Sequence, residues 1–183
     1  VVTETWLSDV VPTEVVSILG FALMRKDRKS GVGGGCAIYV RQEISAKTRS
    51  DLSDPNFECL WLILRPKWLP RGVSRIAVAS VYLPPSMDRE RLESFYEYFY
   101  SCYDIISCES PDTGFIVAGD FNPCSNGFDS KYLSNYCDTD LKQVVKNPTR
   151  NLNLLDLIFT NICSYYDPPE VNVPLSTSDH NMV

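Results

Sequence analysis

Residues 115–122 are Phe115-Ile116-Val117-Ala118-Gly119-Asp120-Phe121-Asn122, an apolar run that ends in glycine and is followed by an acid and an amide. The apolar run, residues 115–119, predicts a buried strand. Asp120 and Asn122 then stand at the end of that strand, where carboxylate and amide oxygens can bind a cation or hold a water molecule. The same residues, together with Pro123, also make a good turn, so a plain strand end is the alternative.

The chain contains one histidine, His180, which directly follows Asp179. Hydrolysis of a phosphodiester requires a cation on the phosphate oxygens, a base that holds the attacking water, and donors for the charge that builds on phosphorus. Oxygen ligands suit Mg²⁺, and an imidazole can carry a proton or donate to the phosphate near neutral pH. A single Asp-His pair is more often a surface or capping feature. Together with the acid and amide at positions 120 and 122, however, it indicates metal-assisted phosphodiester hydrolysis.

Six short motifs follow one another along nearly the whole chain. They are Thr3-Glu4-Thr5-Trp6-Leu7, Gly33-Gly34-Gly35-Cys36-Ala37-Ile38-Tyr39-Val40, Val81-Tyr82-Leu83-Pro84-Pro85, Ala118-Gly119-Asp120-Phe121-Asn122, Leu155-Asp156-Leu157-Ile158-Phe159-Thr160-Asn161 and Ser178-Asp179-His180-Asn181. In this order they resemble the endonuclease/exonuclease/phosphatase family, which includes the apurinic endonucleases and DNase I. The wording of the motifs, with Asn147-Pro148-Thr149-Arg150 ahead of the fifth, most resembles the endonuclease domain of non-LTR retrotransposons.

The resemblance implies which groups would hold the metal and the phosphate. Glu4 would be the carboxylate that binds the divalent metal, and Asp179 would lie at the metal and water side of the site. Tyr82 would donate a hydrogen bond to the scissile phosphate. The implied metal is Mg²⁺, with Mn²⁺ as the alternative. Further candidates for contacts with phosphate or DNA are Thr149, Arg150 and Ser178.

The resemblance also implies which groups would act on the attacking water. Asp120 with Asn122 would orient and activate it. Asp156 would fix the ring of His180 by a hydrogen bond. A carboxylate behind a histidine selects its tautomer and raises its basicity, so such a pair has a physical purpose.

Hydrophobic periodicity predicts many short strands and few helices. The clearest helix covers residues 88–108, where apolar residues recur at intervals of three and four and place one face on a sheet. Ser86 or Asp88 would cap its start, and Pro111 lies just past its end. A second, short helix is expected over residues 129–138. The predicted strands are residues 1–5, 20–25, 36–41, 58–64, 75–82, 115–119 and 154–160.

Periodicity alone supports a mixed α and β protein. The family resemblance implies an α/β fold, the four-layer α/β/β/α sandwich of DNase I, with two packed sheets and helices outside. With 44% hydrophobic residues, residues 1–183 can form a single domain. The family's first strand would precede Val1 and its last would extend beyond Val183. The domain is therefore expected to lack its first strand through truncation at the N-terminus, and to be slightly truncated at the C-terminus.

The formal net charge is −6, whereas a DNA-binding protein usually carries a basic face. A bound cation would offset several of the acids, and basic residues cluster at 25–29 and 142–150, where they could contact phosphates. Solvated loops are the alternative interpretation of each cluster. Glycines 33–35 lack the Lys-Ser/Thr of a P-loop, so a turn into a strand is favoured over a phosphate cradle.

Seven cysteines occur without any C-x-x-C spacing, and one histidine cannot complete a familiar Cys/His zinc site with them. Several lie in apolar strand patterns, which favours reduced thiols in an intracellular protein, with the nucleus as the expected location. A secreted disulfide scaffold is the alternative. The apolar runs are too short to span a bilayer, so no membrane partner is expected.

The leading interpretation is a Mg²⁺-dependent endonuclease that nicks one strand of double-stranded DNA. The resemblance adds that the nick would leave a 3′-hydroxyl, which a reverse transcriptase domain of the same polyprotein would extend. One alternative is a phosphomonoesterase or phosphoinositide phosphatase of the same family. The other is a truncated relic or binding domain without catalysis.

Overall fold

The computed structural model describes residues 1–29, 31–122 and 139–183. These residues form one long α-helix, α1 (Arg89–Glu109), and eleven strands, most of them short. In chain order, the strands are β1 (Val2–Thr3), β2 (Phe21–Lys26), β3 (Cys36–Arg41), β4 (Ser45–Thr48), β5 (Glu58–Arg65), β6 (Arg75–Leu83), β7 (Thr113–Phe121), β8 (Lys142–Gln143), β9 (Asp156–Thr160), β10 (Asn172–Pro174) and β11 (Asn181–Met182).

A six-stranded sheet in the order β4-β5-β6-β7-β9-β8 lies at the centre of the fold. β6 and β7 are parallel, and α1 is the crossover that such a pair requires. The other neighbouring strands are antiparallel. Because side chains alternate between the two faces of a strand, every second residue of β5, β6 and β7 packs under α1. The core under α1 is rich in aromatic rings, including Trp61, Phe95, Phe99, Phe115 and Phe121.

The opposite face of this sheet is covered by a three-stranded antiparallel sheet, β1-β3-β2. Cys36, Ile38 and Val40 of β3 form a second core with Leu60 and Leu62 of β5. The layer order within the described residues is thus α/β/β, which supplies three of the four predicted layers and confirms the α/β fold class. β10 and β11 form a separate antiparallel pair.

The strongest local predictions are confirmed. Asp88 caps α1 by accepting a hydrogen bond from the backbone N–H of Arg91 at 2.8 Å. All seven predicted strands are found, each with ends within two residues of those expected. The first is corrected from residues 1–5 to Val2–Thr3, because Glu4 (φ 50°) and Trp6 (φ 54°) adopt left-handed conformations that a strand excludes. The helix predicted over residues 129–138 lies outside the described residues.

The cysteines within the described residues are all free thiols, and Cys36, Cys59 and Cys102 are buried. Burial raises the pKa of Cys36 to about 12, so this thiol acts as a small packing group. In the part of the chain that the structure describes, no helix is both long and apolar enough to cross a membrane.

Candidate active site

Four polar side chains form a row across the six-stranded sheet, at the end where β6 and β7 finish. The strand register places Glu58 opposite Tyr82, and Asp120 opposite both Tyr82 and Asp156. Neighbouring strands lie about 4.8 Å apart, and paired residues point to the same face of a sheet. The row therefore lies on the face turned toward the three-stranded sheet, and backbone register alone brings these distant residues together.

Asp120 is the most deeply buried acid of the row, with 3% of its surface exposed. The side-chain amide of Asn122 donates to Asp120 Oδ2 at 2.6 Å and to the carbonyl of Leu83 at 3.3 Å. Asp120 Oδ1 is also buried, and it has no hydrogen-bond partner within the described residues. Burial, followed by repulsion from Asp156, raises the pKa of Asp120 to about 7. A buried carboxylate with one oxygen that lacks a hydrogen-bond partner is suited to binding a cation or a water molecule.

Gly119 allows the close strand pairing that positions Asp120. Its φ is 155°, and a Cβ added to it would lie 1.8 Å from the carbonyl oxygen of Val81 on the neighbouring strand β6. No L side chain fits at that distance. Glycine is therefore required for β7 to pair closely with β6 immediately before the catalytic candidate.

Asp156 and His180 form the hydrogen-bonded pair that the resemblance implied. His180 Nδ1 lies 2.8 Å from Asp156 Oδ2, and both side chains are about one-fifth exposed. This contact fixes the ring and leaves Nε2 as the ring atom available to another group. Ser178 is exposed, and its hydroxyl accepts a hydrogen bond from the backbone N–H of His180 at 3.1 Å. The role of Ser178 in the structure is thus to shape the turn that carries His180.

Thr149 supports the backbone of both segments that carry this pair. It is fully buried, and its hydroxyl oxygen accepts hydrogen bonds from the backbone N–H groups of Leu155 at 3.1 Å and Asp156 at 3.0 Å. Its carbonyl accepts from the backbone N–H of Asn181, the residue after His180, at 2.7 Å. In the structure, Thr149 is thus a buried support of the pair, and its contact with a phosphate stays a prediction.

Tyr82 and Glu4 meet at the other side of the row. The Tyr82 hydroxyl donates to Glu4 Oε1. Arg28 forms an ion pair with Glu58, and its guanidinium lies 5.7 Å from the centre of the Tyr82 ring. Burial and the hydrogen bond to Glu4 raise the pKa of Tyr82. Tyr82 therefore stays protonated and can serve as a hydrogen-bond donor.

The glycine run at residues 33–35 packs against the segment that carries Glu4. All three glycines have positive φ, between 74° and 90°, and they lead into β3 as the predicted turn. The backbone N–H of Trp6 donates to the carbonyl of Gly34 at 2.9 Å. A Cβ on Gly34 would lie 2.5 Å from the guanidinium of Arg28, so a side chain there would displace this cation. The run thus brings the Glu4 segment and Arg28 close to the row.

Three side chains of metal-ligand type cluster at the row. The carboxylates of Asp120 and Asp156 and the imidazole of His180 offer ligand atoms that all lie within 4.8 Å of one another. They line a cleft of about 980 Å³ that Glu4 also lines. Carboxylate oxygens with one imidazole suit a hard divalent cation, and the open oxygen of Asp120 needs a partner. The donor set therefore fits a divalent metal ion.

Asp179 lines the same cleft but lies outside this three-residue cluster. Its carboxylate is exposed and forms an ion pair with Arg150. Slight burial would raise the pKa of Asp179, but the hydrogen bond and charge of Arg150 outweigh it, so the pKa lies below its ordinary value. In the structure, Arg150 is thus a partner of Asp179 at the cleft rim.

Most of the basic cluster at residues 25–29 is used inside the fold. Arg25 and Lys26 donate to backbone carbonyls, and Arg28 is paired with Glu58. Lys29 is exposed. The cluster therefore mainly forms hydrogen bonds and ion pairs within the fold. Only its last residue, Lys29, is exposed enough to contact a phosphate.

Sequence reasoning missed Glu58, Arg28 and the internal role of Thr149. Glu58 did carry a signal, because it interrupts an otherwise apolar run from Phe57 to Leu64. An acid within an apolar strand needs a partner when it is part-buried, and Arg28 supplies one. No pattern in the sequence identified Arg28 as that partner.

No protein-family model and no curated protein matches the sequence. Solved structures do match the fold. The endonuclease domain of TRAS1, a telomere-specific non-LTR retrotransposon, has a TM-score of 0.67 at 17% identity, over 90% of this chain and 78% of that domain. The human Nocturnin catalytic domain has a TM-score of 0.63 at 15% identity, over 87% of this chain and 67% of that one.

The 3′ phosphatase NExo from Neisseria, solved with a product DNA hairpin, has a TM-score of 0.61 at 15% identity, over 98% of this chain and 84% of that one. At these identities the likeness concerns the fold. With its two packed sheets and the helix over the larger one, the chain has the DNase I-like fold of the endonuclease/exonuclease/phosphatase proteins, which its sequence motifs resemble.

Proposed function

We propose that this chain is a Mg²⁺-dependent endonuclease that hydrolyses one phosphodiester of double-stranded DNA. The observation that carries the proposal is the buried Asp120, with one open oxygen, beside the fixed Asp156–His180 pair. A carboxylate that holds a cation or water next to such an imidazole supplies groups that metal-assisted phosphodiester hydrolysis uses. DNA as the substrate draws support from the motif wording and from the fold likeness to the TRAS1 endonuclease domain.

Each residue of the site has a chemical task in this proposal. Bound Mg²⁺, or Mn²⁺, would offset charge on the phosphate oxygens and favour ionisation of water near neutral pH. Asp120 and Asp156 would hold such an ion, with Glu4 as a further carboxylate in the cleft and Asp179 at its rim. Asn122 holds one oxygen of Asp120, which leaves the other for the attacking water or the ion. Asp156 orients His180 so that Nε2 can donate to a phosphate oxygen when the ring is protonated, and Tyr82, whose hydroxyl donates to Glu4 in the structure, would be a second donor.

The biological setting is part of the same proposal. A nick leaves a 3′-hydroxyl, and a reverse transcriptase domain in the same polyprotein would extend that end in the nucleus. The wording of the sequence motifs supports this setting, as does the likeness to a retrotransposon endonuclease domain.

A plasmid-nicking assay tests the proposal. Supercoiled plasmid should be converted to open circles in Mg²⁺, and EDTA should stop the reaction. Asp156→Asn should slow nicking by about 10²–10⁴-fold, the usual contribution of acid–base groups. Asp104→Asn on the exposed face of α1 is the matched control and should nick like the wild type. Plasmid that stays supercoiled with folded wild-type protein and either metal would contradict the proposal.

A phosphomonoesterase is the second candidate. Its support is the fold likeness to NExo, which is described as a 3′ phosphatase and matches over nearly all of this chain. A 3′-phosphorylated oligonucleotide separates the two activities. Release of inorganic phosphate without strand cleavage would favour the phosphatase, whereas nicks without free phosphate would favour the endonuclease.

A further inference from the structure

Trp6 is a large aromatic side chain left in the open at the mouth of the catalytic cleft. It is 64% exposed, and it lines the same cleft as Glu4, Asp120 and His180. Trp61, by contrast, is almost fully buried in the core under α1. An exposed indole beside a site for a charged substrate is not explained by packing of the core.

The backbone at Trp6 is strained into this position. Its φ of 54° is rare for a bulky side chain, and Glu4, two residues before it, is also left-handed. A hydrogen bond to the carbonyl of Gly34 holds the segment, and the indole lies on Gly33, where an added Cβ would be 3.5 Å from the ring. Strain of this kind persists where the surroundings enforce it, and it collects at binding and catalytic sites.

We infer that the Trp6 indole stacks on a nucleobase of the DNA that lies in the catalytic cleft. This inference rests on the proposed function. One side of the ring is supported by the backbone of Gly33, which restricts its movement and lowers the entropy that binding must remove. Every base has an aromatic face, so such a contact positions the strand without reading its sequence. Trp6 is thus a substrate-positioning residue next to the groups that act on the phosphate.

Affinity for a duplex of about 25 base pairs, measured by fluorescence anisotropy in EDTA, tests the inference without hydrolysis. The key variant is Trp6→Asn, because asparagine tolerates left-handed backbone and should keep the segment folded. Removal of a stacked aromatic should weaken binding by about 5-fold to 150-fold. Trp68→Asn is the matched control. Trp68 is 89% exposed in the loop between β5 and β6, at the other end of the sheet, and its loss should leave the affinity within about twofold.

Two further measurements separate stacking from a structural role. The free energy of unfolding of Trp6→Asn, from urea denaturation, should equal or exceed that of the wild type, because the strain is relieved; a clear loss would indicate that the ring serves packing. On a duplex whose nicked position has been mapped, replacing the flanking bases by abasic sugars should reduce the effect of Trp6→Asn.

The outcomes distinguish this inference from the proposed function. If the wild type nicks plasmid and Trp6→Asn binds the duplex as tightly as Trp68→Asn does, the stacking inference is wrong and the endonuclease stands. If folded wild type neither nicks nor binds DNA, both are wrong. A loss of affinity confined to Trp6→Asn, with stability retained and with plasmid nicked by the wild type, supports both.

Discussion

Charged side chains gather at both ends of the six-stranded sheet, and they are arranged in opposite ways. At the far end, Arg49 is 7% exposed and its guanidinium is bound by the carboxylates of both Asp51 and Glu109. At the row end, Asp120 is as deeply buried but faces another acid, Asp156, and keeps one oxygen without a partner in the described residues. The Arg49 cluster is complete, whereas no basic side chain within the described residues binds the free oxygen of Asp120.

The pKa shifts express the same difference. At the far end, the hydrogen bond to Asp51 raises the pKa of Arg49, and the bond to Arg49 lowers the pKa of Asp51, so each charge is stabilised by the other. At the row, burial and the neighbouring acid raise the pKa of Asp120. A buried charge without a counter-charge lowers stability, so its presence indicates a place where a cation or substrate completes the structure.

The largest expected effect is on catalysis. Asp120→Asn should reduce the nicking rate by about 10²–10⁴-fold, because the amide cannot hold a cation or activate water as a carboxylate does. Asp51→Asn is the matched change at the far end and should leave the rate unchanged. Initial rates of open-circle formation measure both, with circular dichroism as the check of folding. Equal rates for the two variants would erase the contrast between the clusters.

The next effect is a pH dependence of stability without metal. The folded-state pKa of Asp120, about 7, lies above its ordinary value of 3.8. The protonated carboxyl therefore contributes fully to the free energy of unfolding below pH 3.8, and this contribution is lost as the pH rises to about 7. Wild type should therefore lose about 2–4 kcal/mol relative to Asp120→Asn between pH 4 and pH 8. Urea denaturation of both proteins in EDTA measures the difference. A constant difference across this range would contradict the raised pKa.

The third effect concerns the support of the Asp156–His180 pair. Thr149→Val removes the acceptor of two buried N–H groups and should cost about 1–3 kcal/mol of unfolding free energy. Nicking should fall further than the folded fraction does, because Asp156 loses its anchor. Thr149→Ser keeps the hydroxyl and should restore most of the activity. Serine and valine variants of equal activity would show that the hydroxyl has no positioning role.

The smallest effect belongs to the complete cluster. Glu109→Gln leaves Arg49 with Asp51 and should cost only about 0.5–1 kcal/mol, since both acids are partly exposed. The cost should shrink in 1 M NaCl, which screens surface charges. Thermal denaturation at low and high salt is the measurement. A cost that is independent of salt would mean that shape, rather than charge, holds this end of the sheet.

Local patterns predicted much of the fold. Apolar residues at intervals of three and four predicted the ends of α1 to within one residue. The apolar runs predicted β2, β3, β5, β6, β7 and β9. These elements bury one face or both faces, and the spacing of apolar residues in the sequence reflects that burial. The short strands β4, β8, β10 and β11 have two to four residues and no period to detect.

The candidate site was predicted in its residue types but not in its supports. Asp120, Asn122, Asp156 and His180 were identified from motifs, and the structure brings them together. The engaged hydroxyl of Thr149 could not be read from sequence, because threonine serves equally as a phosphate donor or a backbone acceptor. The left-handed backbone at Glu4 and Trp6 was also hidden, since neither residue type favours it.

The row across β6, β7 and β9 would also make the proposed nicking activity a measure of strand register. A slip of β7 by one residue would turn Asp120 toward α1, and a slip by two would separate it from both Tyr82 and Asp156. β-sheet content could recover during refolding with such errors still present. The return of nicking should therefore lag behind the return of the circular dichroism signal, and the lag would time the correction of misaligned strands.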